Sequence, residues 1–197
     1  MLKTYTGRTF DYQNITKDSI YIPDVLRAIS SLNRFLGHSS RPYSVGEHTL
    51  LGLIVAKEKG YTPLQQLHWL IHDFTEGYVG DCPTPLKKLL PEFSIYEAKV
   101  ETAILEHLEL DTPTDEEYEL IKRIDETMLV IEMRDLTTHN HENYITELTY
   151  KELLERYSIT NLNDLNYLHE DIREALMECF NDLMKEVKGE DFKCLEI

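Results

Sequence analysis

Four ionisable side chains lie close together in the segment "HWLIHDFTEGYVGDCPTP", which spans residues 68–85. His72 and Asp73 are adjacent, and Glu76 and Asp81 follow them before a proline-rich turn. Imidazole and carboxylate groups are ligands for divalent cations and also act as general acids and bases. Carboxylates beside apolar residues are rarely buried unless they have a partner. The segment therefore predicts a metal site or an acid–base site.

The spacing of these residues predicts how they share one site. Neighbouring side chains of a helix point about 100° apart, so His72 and Asp73 can approach one ion from two sides. Glu76 lies one turn further along the same face. Asp81 comes after two glycines, and we expect it in a loop that folds back over that face.

Two ligands do not complete a metal site, and the others are expected from facing helices. His48 lies in the first turn of a predicted helix that opens with the capping-box pair Ser44 and Glu47. Asp125 lies in the middle of "LIKRIDETMLV", beside an apolar stripe. Because Asp is a poor helix former and is rarely buried alone, Asp125 calls for a partner such as a metal. The predicted ligand set is His48, His72, Asp73 and Asp125.

The elements that must position these residues are mostly helical. Apolar periodicity and capping signals, including the capping-box pairs Ser94 with Glu97 and Thr114 with Glu117, define the candidate helices. Extended structure is indicated only at "TGRTFDYQN" and "SIYIP". We predict an all-α protein of about seven helices, forming a single domain over residues 1–197. The predicted helices lie at 22–35, 44–60, 62–78, 94–110, 114–136, about 146–156 and about 162–188.

Composition excludes several classes of protein. The 197 residues are 42% hydrophobic and 28% charged, as expected for a globular domain. No apolar run approaches the roughly 20 residues of a membrane span, and the amino terminus lacks the apolar core of a signal peptide. Three widely spaced cysteines predict neither a disulfide framework nor a cysteine zinc site. A reducing cytoplasm, the host's if the protein is viral, is the simplest location.

The net charge of −16 argues against nucleic acid as a partner, because phosphate backbones bind basic surfaces. The charge is uneven along the chain. Residues 1–100 carry 11 basic and 10 acidic residues, whereas residues 101–197 carry 9 and 26. The near-neutral half can therefore hold a local anion site.

The full pattern H…HD-x2-E-x4-D-x-P-x-P…D resembles that of the HD-domain phosphohydrolases. The blocks "RPYSVGEH", "HDFTEGYVGDCPTPLK" and "IKRIDE" follow the order found in that family, and they span about residues 4–130 with the amino-terminal segment. The segment "YTGRTFDYQN…ISSLNRFLGH" is similar to small phage and bacterial members, which include 5′-deoxynucleotidases and phage dATP triphosphohydrolases. The region 135–197 carries no motif of the family.

The resemblance implies an HD-domain helical bundle with one divalent transition metal, Zn²⁺, Co²⁺ or Mn²⁺, and additional Mg²⁺ with the nucleotide phosphates. It also implies that Glu76 and Asp81 are catalytic carboxylates, although the division of roles between them stays open. Cations at Arg34, Lys87 and Lys122 match phosphate contacts of the family. Each of them also fits an ordinary surface charge.

Two further positions complete the implied substrate site. Phe35 matches an aromatic position that stacks on the base in the family, although a core phenylalanine explains it equally well. Pro85 falls in the matched block "HDFTEGYVGDCPTPLK". His68 lies four residues before His72, but residue 69 is Trp. The H-E-x-x-H metalloprotease motif is therefore absent, and His68 is interpreted as a core residue or as support for the ligands.

The function expected from this resemblance is a dNTP triphosphohydrolase that acts on dATP and releases deoxynucleoside and tripolyphosphate. Three spread cations favour a triphosphate over a single phosphoryl group. A 5′-deoxynucleotidase acting on dNMPs, a non-catalytic HD nucleotide-binding or interaction module, and an HD oxygenase stay open as alternatives. The expected partner is a small deoxynucleotide, with self-association into a homo-oligomer and with neither nucleic acid nor a membrane.

Overall fold

The computed structural model describes residues 1–159 and 169–194, and it confirms the predicted all-α class. The described part of the structure is 62% helical. A two-stranded antiparallel sheet pairs β1 (Leu2–Lys3) with β2 (Thr9–Phe10). Within the described residues, no helix is long and apolar enough to cross a membrane. The α-helices are α1 (Ile22–Ser31), α2 (Val45–Glu58), α3 (Pro63–Ile71), α4 (Glu76–Val79), α5 (Thr84–Lys87), α6 (Pro91–Leu108), α7 (Asp115–Leu136), α8 (Lys151–Leu154) and α9 (His169–Lys188).

Helix capping explains several of these boundaries. The capping boxes predicted at Ser44 and Thr114 are both formed, and they open α2 and α7. The box predicted at Ser94 is wrong, because α6 already begins at Pro91, whose fixed φ suits the first helical turn. Glu97 instead accepts a hydrogen bond from Lys87.

The predicted helix over 62–78 is interrupted, and the interruption falls at the candidate ligands. α3 ends at Ile71. The backbone then makes i to i+3 hydrogen bonds, from the Phe74 N–H to the Ile71 carbonyl and from the Glu76 N–H to the Asp73 carbonyl, both at 3.0 Å. Such bonds wind the chain more tightly than an α-helix does. This turn is why the adjacent side chains of residues 72 and 73 come together.

The predicted helix over 22–35 also ends early, at Ser31. The chain continues in an extended conformation, and the Arg34 N–H donates to the Tyr43 carbonyl at 2.9 Å. Phe35 and Leu36 then adopt positive φ values of 58° and 52°. Side chains with a Cβ rarely adopt this region, so the turn that presents Arg34 is held against a conformational cost.

Extended structure is shorter than predicted. In "TGRTFDYQN" only Thr9 and Phe10 form a strand, and "SIYIP" forms none, since Ile22 and Pro23 already belong to α1. The hairpin is tied to α1 by Asp24, which accepts hydrogen bonds from the hydroxyls of Thr4 and Thr6 at 2.6 and 2.8 Å.

The first of the two predicted carboxy-terminal helices is also shorter than predicted. The helix expected over about 146–156 is reduced to α8, and α9 ends just before Gly189, as predicted. Its predicted beginning at 162 lies outside the described residues. α9 packs against α1 and α3, so this region completes the core of the bundle.

The contact between α2 and α3 depends on a glycine. A Cβ at Gly52 would overlap the indole of Trp69. Trp69 is fully buried, and its Nε1 donates to the Thr49 carbonyl at 2.9 Å. The indole also stacks on the imidazole of His72, with ring centroids 4.0 Å apart. Core packing and the candidate site are thus joined through one side chain.

Gly52→Ala is expected to lower the free energy of unfolding by up to about 2 kcal/mol. Alanine in a helix normally stabilises it by about 1 kcal/mol relative to glycine, but overpacking a core costs about 1–3 kcal/mol. Urea unfolding followed by circular dichroism measures the change. Lys57→Ala, at an exposed position of the same helix, is the control. Its free energy of unfolding should stay within about 0.5 kcal/mol of the wild-type value. A Gly52→Ala protein more stable than wild type would refute this packing.

Candidate metal centre

His48 is held by α2 with one ring nitrogen directed into the cluster. The side chain is fully buried, and its Nδ1 lies 2.6 Å from Oε1 of Glu132. A carboxylate accepts this bond, so Nδ1 carries the hydrogen. Nε2 lies 3.4 Å from Oδ1 of Asp125 and 3.7 Å from Oδ2 of Asp73. His48 therefore presents Nε2 to two carboxylates that come from other elements.

His72 is oriented in the same manner at the end of α3. Its Nδ1 donates to the carbonyl of Trp69 at 2.5 Å. Its Nε2 lies 3.1 Å from Oδ2 of Asp73. Backbone and carboxylate partners of this kind fix the tautomer of a metal-binding histidine and raise its basicity. In the neutral form, both imidazoles thus direct the lone pair of Nε2 towards Asp73.

The arrangement fits a divalent cation. One ligand atom from each of His48, His72 and Asp73 lies within 4.8 Å of the others. Both Nε2 atoms and Oδ2 of Asp73 are buried without a well-formed hydrogen bond to any described residue. Buried polar atoms without partners are costly, and a cation bound between them would satisfy all three. Zn²⁺, Co²⁺ and Mn²⁺ are compatible with mixed nitrogen and oxygen ligands.

Asp125, the fourth predicted ligand, joins this cluster from α7. Its side chain is 47% exposed, in contrast to the buried His48. The cluster is therefore closed on the side of α2 and accessible at Asp125, so solvent or a ligand can reach it from that side.

Opposite charges balance inside the cluster. Burial and Arg34 oppose protonation of His48, but Glu132 and Asp125 outweigh them and raise its pKa to about 9. Burial opposes ionisation of Asp73, yet His72, His48 and Arg34 hold its pKa well below the usual value. The pKa of Asp125 is also lowered, because its contact with Nε2 of His48 outweighs the opposing effect of burial. Because of its raised pKa, His48 carries a proton on Nε2 at neutral pH. A cation that binds Nε2 must displace this proton.

Glu76 and Asp81 face the same cluster. Burial, together with the charges of Asp73 and Asp81, raises the pKa of Glu76 to about 9. Its Oε2 is buried and makes no hydrogen bond to the described residues. Asp81 lies after α4 in a loop, as predicted, and burial raises its pKa although Arg34 opposes the shift. Glu76 is therefore a carboxyl group that readily holds a proton beside the candidate ligands.

Glu132 is a supporting residue that the sequence interpretation missed. It is fully buried on α7, two turns after Asp125. Beside the His48 contact, it accepts hydrogen bonds from Tyr43 Oη at 2.9 Å and Arg34 Nε at 3.2 Å. A glutamate between Ile131 and Met133 on the face of Asp125 was an available signal. Its position means that the tautomer of His48 is fixed by a buried carboxylate.

Glu132→Gln should weaken metal binding roughly 10- to 100-fold, the usual effect of removing a carboxylate behind a ligand histidine. Gln can still accept a hydrogen bond, but it no longer balances Arg34. Titration of the purified protein with Co²⁺, followed by calorimetry, measures the affinity. Glu119→Gln, at an exposed position of the same helix, is the control and should bind as wild type does. Equal affinities for both variants would remove Glu132 from the site.

Arg34 lies within the cluster rather than at its edge. Its guanidinium is 3.2 Å from Oε2 of Glu132, 3.8 Å from Oδ2 of Asp73 and 3.9 Å from Oδ1 of Asp125. These carboxylates outweigh burial and raise the pKa of Arg34. The side chain is therefore a fixed positive charge that balances the acidic groups of the site.

The other predicted substrate contacts are placed at different distances from the cluster. Phe35 is partly buried against the core, with its ring 5.6 Å from Cζ of Arg34. Lys87 Nζ donates a hydrogen bond to Oε1 of Glu97 at 2.7 Å, and the charge of Glu76 also favours the protonated form of Lys87. Pro85 is exposed at the start of α5. Lys122 is 64% exposed and pairs with Glu126 at 3.7 Å, so it lies on the surface of α7.

The fold and this cluster define an all-α protein with a centre of two imidazoles and two carboxylates that is buried except at Asp125. The chain matches none of the protein-family models. It is 38% identical over 140 residues to the protein named "Uncharacterized protein YfdR" of Escherichia coli (strain K12), and the match covers 68% of this chain and 71% of that protein. The chain belongs to the YfdR family.

Proposed function

We propose that this chain is a metal-dependent phosphohydrolase of the HD-domain type that acts on deoxynucleotides. The observation that supports it most is the convergence of His48, His72 and Asp73, whose buried ligand atoms make no well-formed hydrogen bond to the described residues. A merely structural cluster would satisfy these atoms with hydrogen bonds. Glu76, whose pKa is raised to about 9, adds a proton carrier to the same cluster.

The candidate ligands would hold one Zn²⁺, Co²⁺ or Mn²⁺, with Asp125 on the accessible side. Such a cation lowers the pKa of water and polarises a phosphate oxygen when bound. Glu76 and Asp81 would then exchange protons with the attacking water or the leaving oxygen. Arg34 keeps its positive charge at every accessible pH, so it balances phosphate charge without proton transfer.

A triphosphate is the proposed substrate form, and dATP is the proposed substrate. Three cationic side chains differ in their solvent exposure. Arg34 is 12% exposed, Lys87 is 34% exposed, and Lys122 is 64% exposed on the helix that carries Asp125. A chain of three phosphates spans a greater length than one phosphoryl group and can contact more of these cations, which favours a triphosphate.

Product analysis tests the proposal. The purified protein, supplied with Mn²⁺ or Co²⁺, is incubated with a panel of dNTPs, NTPs and dNMPs, and the products are separated by anion-exchange chromatography. The expected result is deoxyadenosine and tripolyphosphate from dATP. Orthophosphate from dAMP with dATP untouched would replace the triphosphohydrolase by a 5′-deoxynucleotidase. Unchanged nucleotides throughout the panel would refute the phosphohydrolase function.

A further inference from the structure

A cavity of about 220 Å³ lies between α3, α6 and α7, and His72 of the candidate metal centre is one of its lining residues. Its walls are mostly aliphatic side chains, including Ile71, Ile104, Leu105 and Ile121. At about 30 Å³ per water molecule, the cavity has room for roughly seven waters. That volume suits one small ring system rather than a complete nucleotide.

His68 is a buried polar residue of this cavity. The residue is 3% exposed, and neither ring nitrogen makes a hydrogen bond to any residue within 1–159 or 169–194. Its nearest acidic atom is Oε1 of Glu117, which lies 3.7 Å from Nδ1 and is too distant for a hydrogen bond. Burial lowers the pKa of His68, so the ring is neutral and offers one donor and one acceptor. Leaving both unpaired costs free energy that a ligand could recover.

The charges around the cavity restrict the ligand. Among the described residues that line it, Glu101 is the charged one, and its Oε1 accepts a hydrogen bond from Tyr118 Oη at 2.9 Å. No described Lys or Arg lines the cavity, so a phosphate or carboxylate would find no countercharge there. This separates the cavity from the anion-binding region around Arg34.

We propose that this cavity is a second binding site, for a small uncharged planar heterocycle that carries a hydrogen-bond donor next to an acceptor. The apolar walls enclose the faces of the ring. His68 pairs with its polar edge. The site goes beyond the proposed hydrolase function, because it requires neither the metal nor a phosphate. It adjoins that function through His72, whose ring is a common wall.

The probe for a direct test is 7-azaindole, which is neutral at pH 7 and places an N–H next to a ring nitrogen. It is titrated into the full-length protein in the presence of EDTA, and the imidazole ¹⁵N resonances are followed by NMR. The His68 resonances should shift and saturate, whereas those of His139, an exposed histidine, should stay in place. Because metal is removed, the result does not depend on hydrolase activity.

A variant and a second probe isolate the polar contact. His68→Leu should weaken 7-azaindole binding about tenfold and leave the affinity for indene, a hydrocarbon of similar shape, within twofold. Ile104→Phe, which fills the cavity, should abolish binding of both probes. If His68→Leu does not fold, the wild-type titration alone decides. No shift at His68 up to millimolar 7-azaindole, or equal shifts at every histidine, would overturn the proposal, as would equal affinities of wild type and His68→Leu.

Discussion

Asp73→Ala is expected to abolish both metal binding and the release of tripolyphosphate from dATP. Asp73 supplies the buried oxygen to which Nε2 of His48 and Nε2 of His72 are both directed, at 3.7 and 3.1 Å. Without that oxygen, two imidazoles and a half-exposed Asp125 remain, too few ligands to hold a transition metal tightly. We expect less than a tenth of an equivalent of bound metal and a fall in activity of at least about 1,000-fold.

Elemental analysis of the protein after dialysis against Mn²⁺ or Co²⁺ measures the first effect, and anion-exchange chromatography of the products formed from dATP measures the second. Asp111→Ala is the matched control, because Asp111 is an exposed aspartate outside the cluster. It should retain the metal content and activity of wild type. One full equivalent of metal in Asp73→Ala would show that the centre lies elsewhere.

Glu76→Gln, unlike Asp73→Ala, should retain the metal and lose turnover. Gln has nearly the shape of Glu, and Glu76 is not one of the proposed metal ligands. The substitution should therefore leave metal binding intact. An amide cannot exchange a proton with water or a leaving oxygen, so kcat should fall about 100- to 10,000-fold. A variant that keeps more than a tenth of the wild-type kcat would remove Glu76 from catalysis.

The thermal stability of the same variant, measured without metal, gives a second test. The pKa of Glu76 is raised by folding, so the folded protein binds a proton that the unfolded chain releases above its ordinary pKa. The stability contribution of this group is therefore lost as pH rises towards about 9. Gln does not ionise and avoids this loss. At pH 8, Tm of metal-free Glu76→Gln should equal or exceed that of metal-free wild type in differential scanning calorimetry. A lower Tm would contradict the assigned environment of Glu76.

Local signals in the sequence predicted those parts of the fold that local interactions determine. The helices that begin at Ser44 and Thr114 are set by side chains that bond within one turn of their own caps. The box at Ser94 failed because Pro91 begins the same helix earlier and Glu97 pairs with Lys87 across a turn. Periodicity alone could not choose between these two beginnings.

The convergence of the four candidate ligands was predictable from the sequence, but the contacts that support them were not. His48, His72, Asp73 and Asp125 have types and spacings that indicate a shared ion. Glu132 was missed because a glutamate in a long helix is usually solvated, and only the packing of α7 against α2 shows that this one is buried. The tight turn after Ile71 was missed for a similar reason, since apolar periodicity continues through it.

The contact between Gly52 and Trp69 has an evolutionary consequence. The two positions share one volume, so neither can change freely while the other is kept. Among relatives of this chain, a residue larger than glycine at position 52 should occur with a side chain smaller than tryptophan at position 69. Because the indole also supports His72, such paired replacements should be rarest in relatives that keep the histidine. Selection on the metal centre would thus reach a glycine that touches no ligand.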